Sequence, residues 1–212
     1  MPTKVGSDMT TGLVSGSKAS TTPSTTSSGD ANKIVALNAS GQVPDHYVKM
    51  DIKAHQWRYT GDFAVGTGEV VVDTGDGWEE VDTAPQDVNG TSMTVNEGVF
   101  SFPETGLWLV TLNALFARNS GDVTLVVADL FATMGSGGTT EVRVGQGCGS
   151  VHTDNLQSTV VVSSLVNVDN VSNVKVKTKV SASSSGADFK GNSTFNRSYF
   201  TFLRVSPLIA GD

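Results

Sequence analysis

One cysteine, Cys148, stands in 212 residues, so no intrachain disulfide holds this chain. Three histidines, His46, His55 and His152, are too dispersed to form a local metal-ligand motif. No apolar run approaches the ~20 residues of a membrane span, no signal-peptide pattern is read at the start, and no membrane partner is expected. Positive charge is also scarce, with 14 Lys and Arg against 21 Asp and Glu, a formal net charge of −7. The imbalance is local. Residues 1–53 hold five basic and four acidic side chains; residues 54–212 hold nine and seventeen. An acidic globular part lacks the basic patches that phosphate binding needs, so no nucleic-acid partner is expected.

Catalytic patterns are missing as well. Val144-Gly145-Gln146-Gly147-Cys148-Gly149 has no lysine and no following helix, so it is no phosphate loop. Cys148 reads as a small strand-end residue, since nothing near it suggests an activating environment. Asp73-Thr74-Gly75-Asp76-Gly77 has some oxygen-rich turn character, with Glu79, Glu80 and Asp82 nearby. It lacks the spaced acidic run and closing Glu of a Ca²⁺-binding loop and reads as a Gly/Asp turn. No motif sets two carboxylates together for glycoside hydrolysis. The expectation is a protein that is not an enzyme, with no catalytic residue, no metal site and no cofactor.

What is present is alternation. In Val99–Asn119, Phe100 and Phe102 lead into Pro103-Glu104-Thr105-Gly106, which has the composition of a turn. Beyond it Trp108, Val110, Leu112 and Phe116 share one face at period two. The opposite face carries Leu107, Leu109, Thr111, Asn113, Leu115 and Ala117, and is also largely apolar. A sheet with one wet face does not place three leucines there. Either another layer of the chain or another subunit covers it. The last strand repeats the pattern: Phe200 and Phe202 point one way, Tyr199, Leu203 and Val205 the other.

Candidate strands are 56–63, 69–73, 78–82, 92–95, 98–102, 107–117, 123–132, 139–147, 156–167, 174–180 and 197–205, separated by Gly-, Asn- and Asp-rich turns. Many short strands at this spacing indicate an all-β sandwich. Lys175, Lys177 and Lys179 alternate with Val174, Val176, Thr178 and Val180, which reads as the charged face of an edge strand, where lysines discourage aggregation.

Upstream the composition changes. Fourteen of residues 1–30 are Ser or Thr and four are Gly. Such a segment does not bury enough apolar surface to offset its chain entropy alone. Fully extended, it reaches about 100 Å, the length of a strap across neighbouring subunits. Residues 31–54 read as a small hairpin unit and connector, residues 55–206 as the sandwich, and 207–212 as a tail. An isolated hairpin is marginal in water, so residues 31–54 require a partner surface, with Ile34, Val35, Leu37, Val43 and Tyr47 as candidate anchoring contacts.

Phe100, Phe102, Pro103, Gly106, Leu107, Trp108 and Val110, with the closing run Ser198-Tyr199-Phe200-Thr201-Phe202-Leu203, resemble the C1q and tumour-necrosis-factor-like jelly-roll family over roughly residues 57–205. Gly29-Asp30-Ala31-Asn32-Lys33-Ile34-Val35-Ala36-Leu37-Asn38-Ala39-Ser40-Gly41-Gln42-Val43-Pro44 resembles a segment recurring in tailed-bacteriophage fibre and head-decoration proteins, between an arm and a distal domain. Together the two likenesses imply a homotrimeric virion protein on the capsid exterior. Leu107, Leu109, Leu115, Tyr199 and Leu203 would line its trimer interface. The partner would be a major capsid protein or another virion protein. The alternative implied is a tail-fibre or receptor-binding protein that recognises a host surface glycan or protein. The Ca²⁺ sites of some C1q-like members have no matching acidic cluster here.

Overall fold

The computed structural model describes residues 52–73, 77–81, 84–154 and 156–206. The arm, the anchoring candidates Ile34, Val35, Leu37, Val43 and Tyr47, and the tail 207–212 lie outside the described residues, as do Thr74, Gly75, Asp76 and Asp82.

Thirteen strands occur among the described residues, all paired antiparallel. They are β1 Lys53–Tyr59, β2 Asp62–Val65, β3 Val70–Val71, β4 Trp78–Glu80, β5 Thr94–Asn96, β6 Val99–Ser101, β7 Gly106–Arg118, β8 Val123–Met134, β9 Thr140–Val151, β10 Gln157–Val168, β11 Lys175–Ala182, β12 Ala187–Lys190 and β13 Tyr199–Ser206. A 3₁₀ turn, Ser136–Gly138, lies between β8 and β9.

The first sheet is built on β7, the two-faced strand. One edge of β7 pairs with β10 from Gly106 to Ala117. The other edge is shared, with β13 along Leu107–Asn113 and β12 along Phe116–Arg118. The sheet continues through β1 to β4 beyond β13, and to β2 beyond β12. The second sheet runs β5-β6-β11-β8-β9, with β3 beside β6 on the same edge of β11.

Period two decides which side chains lie between the sheets. Trp108, Val110, Leu112, Ala114 and Phe116 of β7 are wholly buried. Facing them across the core are Phe100, Val126, Ala128, Leu130, Val176 and Val180, also wholly buried. An aromatic chain runs through the centre. Phe100 lies 5.0 Å from Phe200 and 5.4 Å from Trp78, both tilted or edge-on, and Phe102 lies 5.3 Å from Trp108. Such pairs add about 0.5–1.5 kcal/mol each beyond burial of their area. Trp78 also donates its indole N–H to the Val72 carbonyl at 2.9 Å, so its one polar atom is satisfied.

Where β10 of the first sheet meets β9 of the second, the layers approach too closely for side chains. Gly145, Gly147 and Gly149 supply the missing bulk. A Cβ on them would stand 2.6 Å from a Val162 methyl, 2.5 Å from a Val160 methyl and 2.4 Å from Ser158 Oγ. Cys148, between these glycines, points outward and is exposed. It pairs with Val127 inside β9 and is not at a strand end.

Several boundaries differ from the sequence reading. Residues 56–63 form two strands, because the chain turns at Thr60 and Gly61. Strand β12 falls in a stretch with no strand expected from sequence. The lysine strand β11 is interior, lying between β8 on one side and β6 and β3 on the other. Its lysines are nonetheless outward-facing. Lys177 and Lys179 both bond the Glu141 carboxylate of β9, Lys179 at 2.8 Å, and Lys179 also covers the Phe131 ring at 4.4 Å. Their counter-charge comes from the same chain, which is why an interior strand tolerates them.

Candidate interaction surface

The outward face of the first sheet is the surface the sequence singled out. Strand registers set its side chains in rows. Ala54, Leu203, Leu109 and Leu165 form one row across β1, β13, β7 and β10. The next is Gln56, Thr201, Thr111 and Ser163, followed by Arg58, Tyr199, Asn113 and Val161. Leu115 stands opposite Thr159 further along.

Leu107, Leu109, Leu115, Tyr199 and Leu203 all lie on this face and are half-buried. The β10 edge is more open, with Val161 and Leu165 each 58% exposed. These residues stay partly open, whereas the inner-face residues Trp108, Val110, Leu112, Ala114 and Phe116 are wholly buried under the second sheet. Pairing Leu109 to both Leu203 and Leu165 gives a leucine band running across three strands.

A polar row crosses the face beside that band. Thr111 and Ser163 hydroxyls bond each other at 2.9 Å, and Gln56 Nε2 donates to Thr201 Oγ1 at 3.3 Å. These pairings tie β7 to β10 and β1 to β13 through side chains on the outward face. At the β1 side the face is bounded by Arg58, which is 3% exposed. Its guanidinium donates to Glu79 Oε1 at 2.8 Å and to the Thr194 carbonyl at 3.4 Å. Phe195 beside Thr194 is 52% exposed and lies under the Arg197 guanidinium, 5.4 Å from ring centroid to carbon.

The titratable groups outside this face are structural in setting. His55 is 1% exposed, on the inward face of β1. Its Nδ1 is 3.4 Å from Glu80 Oε1, and Nε2 has no protein partner. Burial pushes the imidazole below its usual value, while Glu80 and Glu104 pull it back up. Sequence reasoning missed this because a lone histidine in a polar stretch carries no periodic signal; only its in-phase position with Trp57 and Tyr59 marks it as inward. Glu141 is held below the usual carboxylate range by bonds from Lys177 and Lys179. Asp122 is held low by the Thr153 hydroxyl and amide. Among the described residues no three His, Cys, Asp or Glu side chains converge as a metal site would require.

No protein-family model and no curated protein matches the sequence. Solved structures do match the fold. Eiger TNF from S. frugiperda aligns with 77% of this chain and 98% of its own, at 12% identity and a TM-score of 0.51. Murine APRIL aligns with 73% of this chain and 99% of its own, at 9% identity and a TM-score of 0.50. Identity this low speaks to architecture alone. The described part of the chain is an all-β jelly roll of the TNF-like kind.

Proposed function

We propose that this chain is a non-enzymatic structural protein that assembles as a homotrimer and decorates the capsid of a tailed bacteriophage. The observation that carries the trimer is the leucine band of Leu109, Leu203 and Leu165, continuous across three strands and uncovered in the single chain. The second copy meets the face head to tail, the kind of contact that closes into a ring when the rotation allows. Burial of apolar area there contributes about 25 cal/mol per Å² before the cost of association.

The particle assignment rests on the likeness of residues 29–44 to the segment found between arm and distal domain in phage fibre and head-decoration proteins. In this reading residues 1–44 fasten the trimer, with Ile34, Val35, Leu37, Val43 and Tyr47 against a capsid protein, and the jelly roll projects outward. Bridging neighbouring capsid subunits adds buried contacts that resist internal genome pressure.

The test removes residues 1–44. The truncated chain is expected to remain trimeric and folded and to lose attachment to particles. Attachment at the full-length level would overturn the anchoring assignment. Copy number on the particle separates the capsid role from a tail-fibre role: a cement covers the capsid, whereas a fibre is confined to the tail.

A further inference from the structure

At one end of the sandwich the turn between β8 and β9 lies against the turn between β10 and β11. Between them is an open cleft of about 500 Å³, lined by Met134, Thr140, Asn167, Asp169, Asn173 and Val174. That volume falls within the ~300–1,000 Å³ of small-molecule sites. The two turns are tied together, so the cleft is preformed. Thr133 Oγ1 donates to the Asn173 carbonyl at 2.8 Å, and the Gly137 amide donates to Asn173 Oδ1 at 3.0 Å. The Asn170 carbonyl accepts from Val174 N–H at 2.9 Å, closing the second turn.

The polar groups at the rim are unspent. Thr140, Asn167 and Asp169 make no side-chain hydrogen bond among the described residues. Asn173 uses its side-chain oxygen on Gly137, which leaves its NH₂ group with two donors. Together they offer a carboxylate acceptor, amide donors and acceptors, and a hydroxyl that does both. Met134 and the largely buried Val174 add an apolar patch to the same lining.

We propose that this cleft binds a neutral pyranose unit of a glycan. Vicinal sugar hydroxyls pair with adjacent carboxylate and amide groups, while the C–H face of the ring sits on Met134 and Val174. The lining has no Lys, Arg or His, which disfavours an anionic ligand. One carboxylate falls short of the six to eight oxygens a Ca²⁺ ion takes. There is no aromatic platform in the lining, so affinity for a single sugar is weak. The site lies within one chain and does not depend on trimer formation.

The test is a ¹³C-methyl titration of the full chain with D-glucose, D-galactose, D-mannose and N-acetylglucosamine, each alone, and separately with CaCl₂. At least one sugar is expected to give saturable shifts at the Met134 and Val174 methyls. Asp169→Ala and Thr140→Val should each weaken that binding about tenfold, with methyl signals remote from the cleft unmoved. No saturable shift with any of the four sugars, shifts indifferent to both variants, or shifts with CaCl₂ alone would overturn the proposal. Light-scattering mass on the same samples keeps this outcome separate from the oligomer assignment.

Discussion

Gly147 of β9 and Val160 of β10 sit so close that a Cβ on the glycine would be 2.5 Å from a valine methyl. This is how the two sheets close along one side, with a stripe of glycines where other sandwiches place side chains. Gly147→Ala should therefore overpack the seam and cost about 1–3 kcal/mol in urea unfolding. Gly68, with open space around it and ordinary backbone, is the control. Gly68→Ala should change stability by less than about 1 kcal/mol. Equal effects from the two would mean the seam is not tight.

Acid should loosen the domain in two stages. His55 is buried and its imidazole is held below its usual 6.5, so the folded state binds fewer protons there than the unfolded chain. Stability is thus full at neutral pH and falls as pH drops below 6.5 toward the folded value. The groups facing His55 are Glu80, Glu104 and Lys53, with the two carboxylates limiting the shift. Glu141 and Asp122 act at lower pH. Their depressed values give stability that is present above 4.5 and 3.8, and lost as pH falls through the folded values. Thermal melts against pH should show the first decline in the native chain and not in His55→Gln. An unchanged upper decline in that variant would remove His55 as its source.

The Lys177–Glu141–Lys179 cluster is partly open to solvent. Glu141→Gln should cost no more than about 1 kcal/mol, and less at high salt. A larger, salt-independent loss would point to a buried role that its exposure does not suggest.

Much of the sandwich was legible because period two is a local signal. Trp108, Val110, Leu112 and Phe116 all go inward, and Tyr199 and Leu203 all go outward, as their alternation requires. What the alternation does not carry is order within a sheet. Lys175, Lys177 and Lys179 look like an edge, and only the pairing of β11 with β6, β3 and β8 shows otherwise. Strand β12 is not expected from sequence because Ala187–Lys190 holds one large apolar residue, Phe189, between Gly186 and Gly191, which gives no alternation to read. Gly145 and Gly147 fall in an expected strand, but a glycine has no side chain to mark a face, so only the neighbours Val162, Val160 and Ser158 across the layer show that 145, 147 and 149 form a close-contact stripe. The cleft was invisible for the same reason: its lining comes from two separate stretches, 134–140 and 167–174, brought together by the tie between Thr133 and Asn173.

The outward leucines give a sharper prediction. Leu109→Glu, Leu203→Glu and Leu165→Glu each place a charge in the band that the second copy would cover. Each variant should keep its far-ultraviolet β signature and its melting transition while losing association. Aggregation of Leu109→Glu alone would leave Leu165→Glu, at the most exposed position, as the decisive variant. Soluble trimers from all three would mean that the chains meet elsewhere.

In the proposed trimer the outward face of the first sheet is closed by two further copies of the chain. Light scattering coupled to size-exclusion chromatography of the full chain measures this directly. A homotrimer gives a mass three times the 22.1 kDa of one chain. A mass of a single chain, with Leu109, Leu165 and Leu203 open to water, would contradict it.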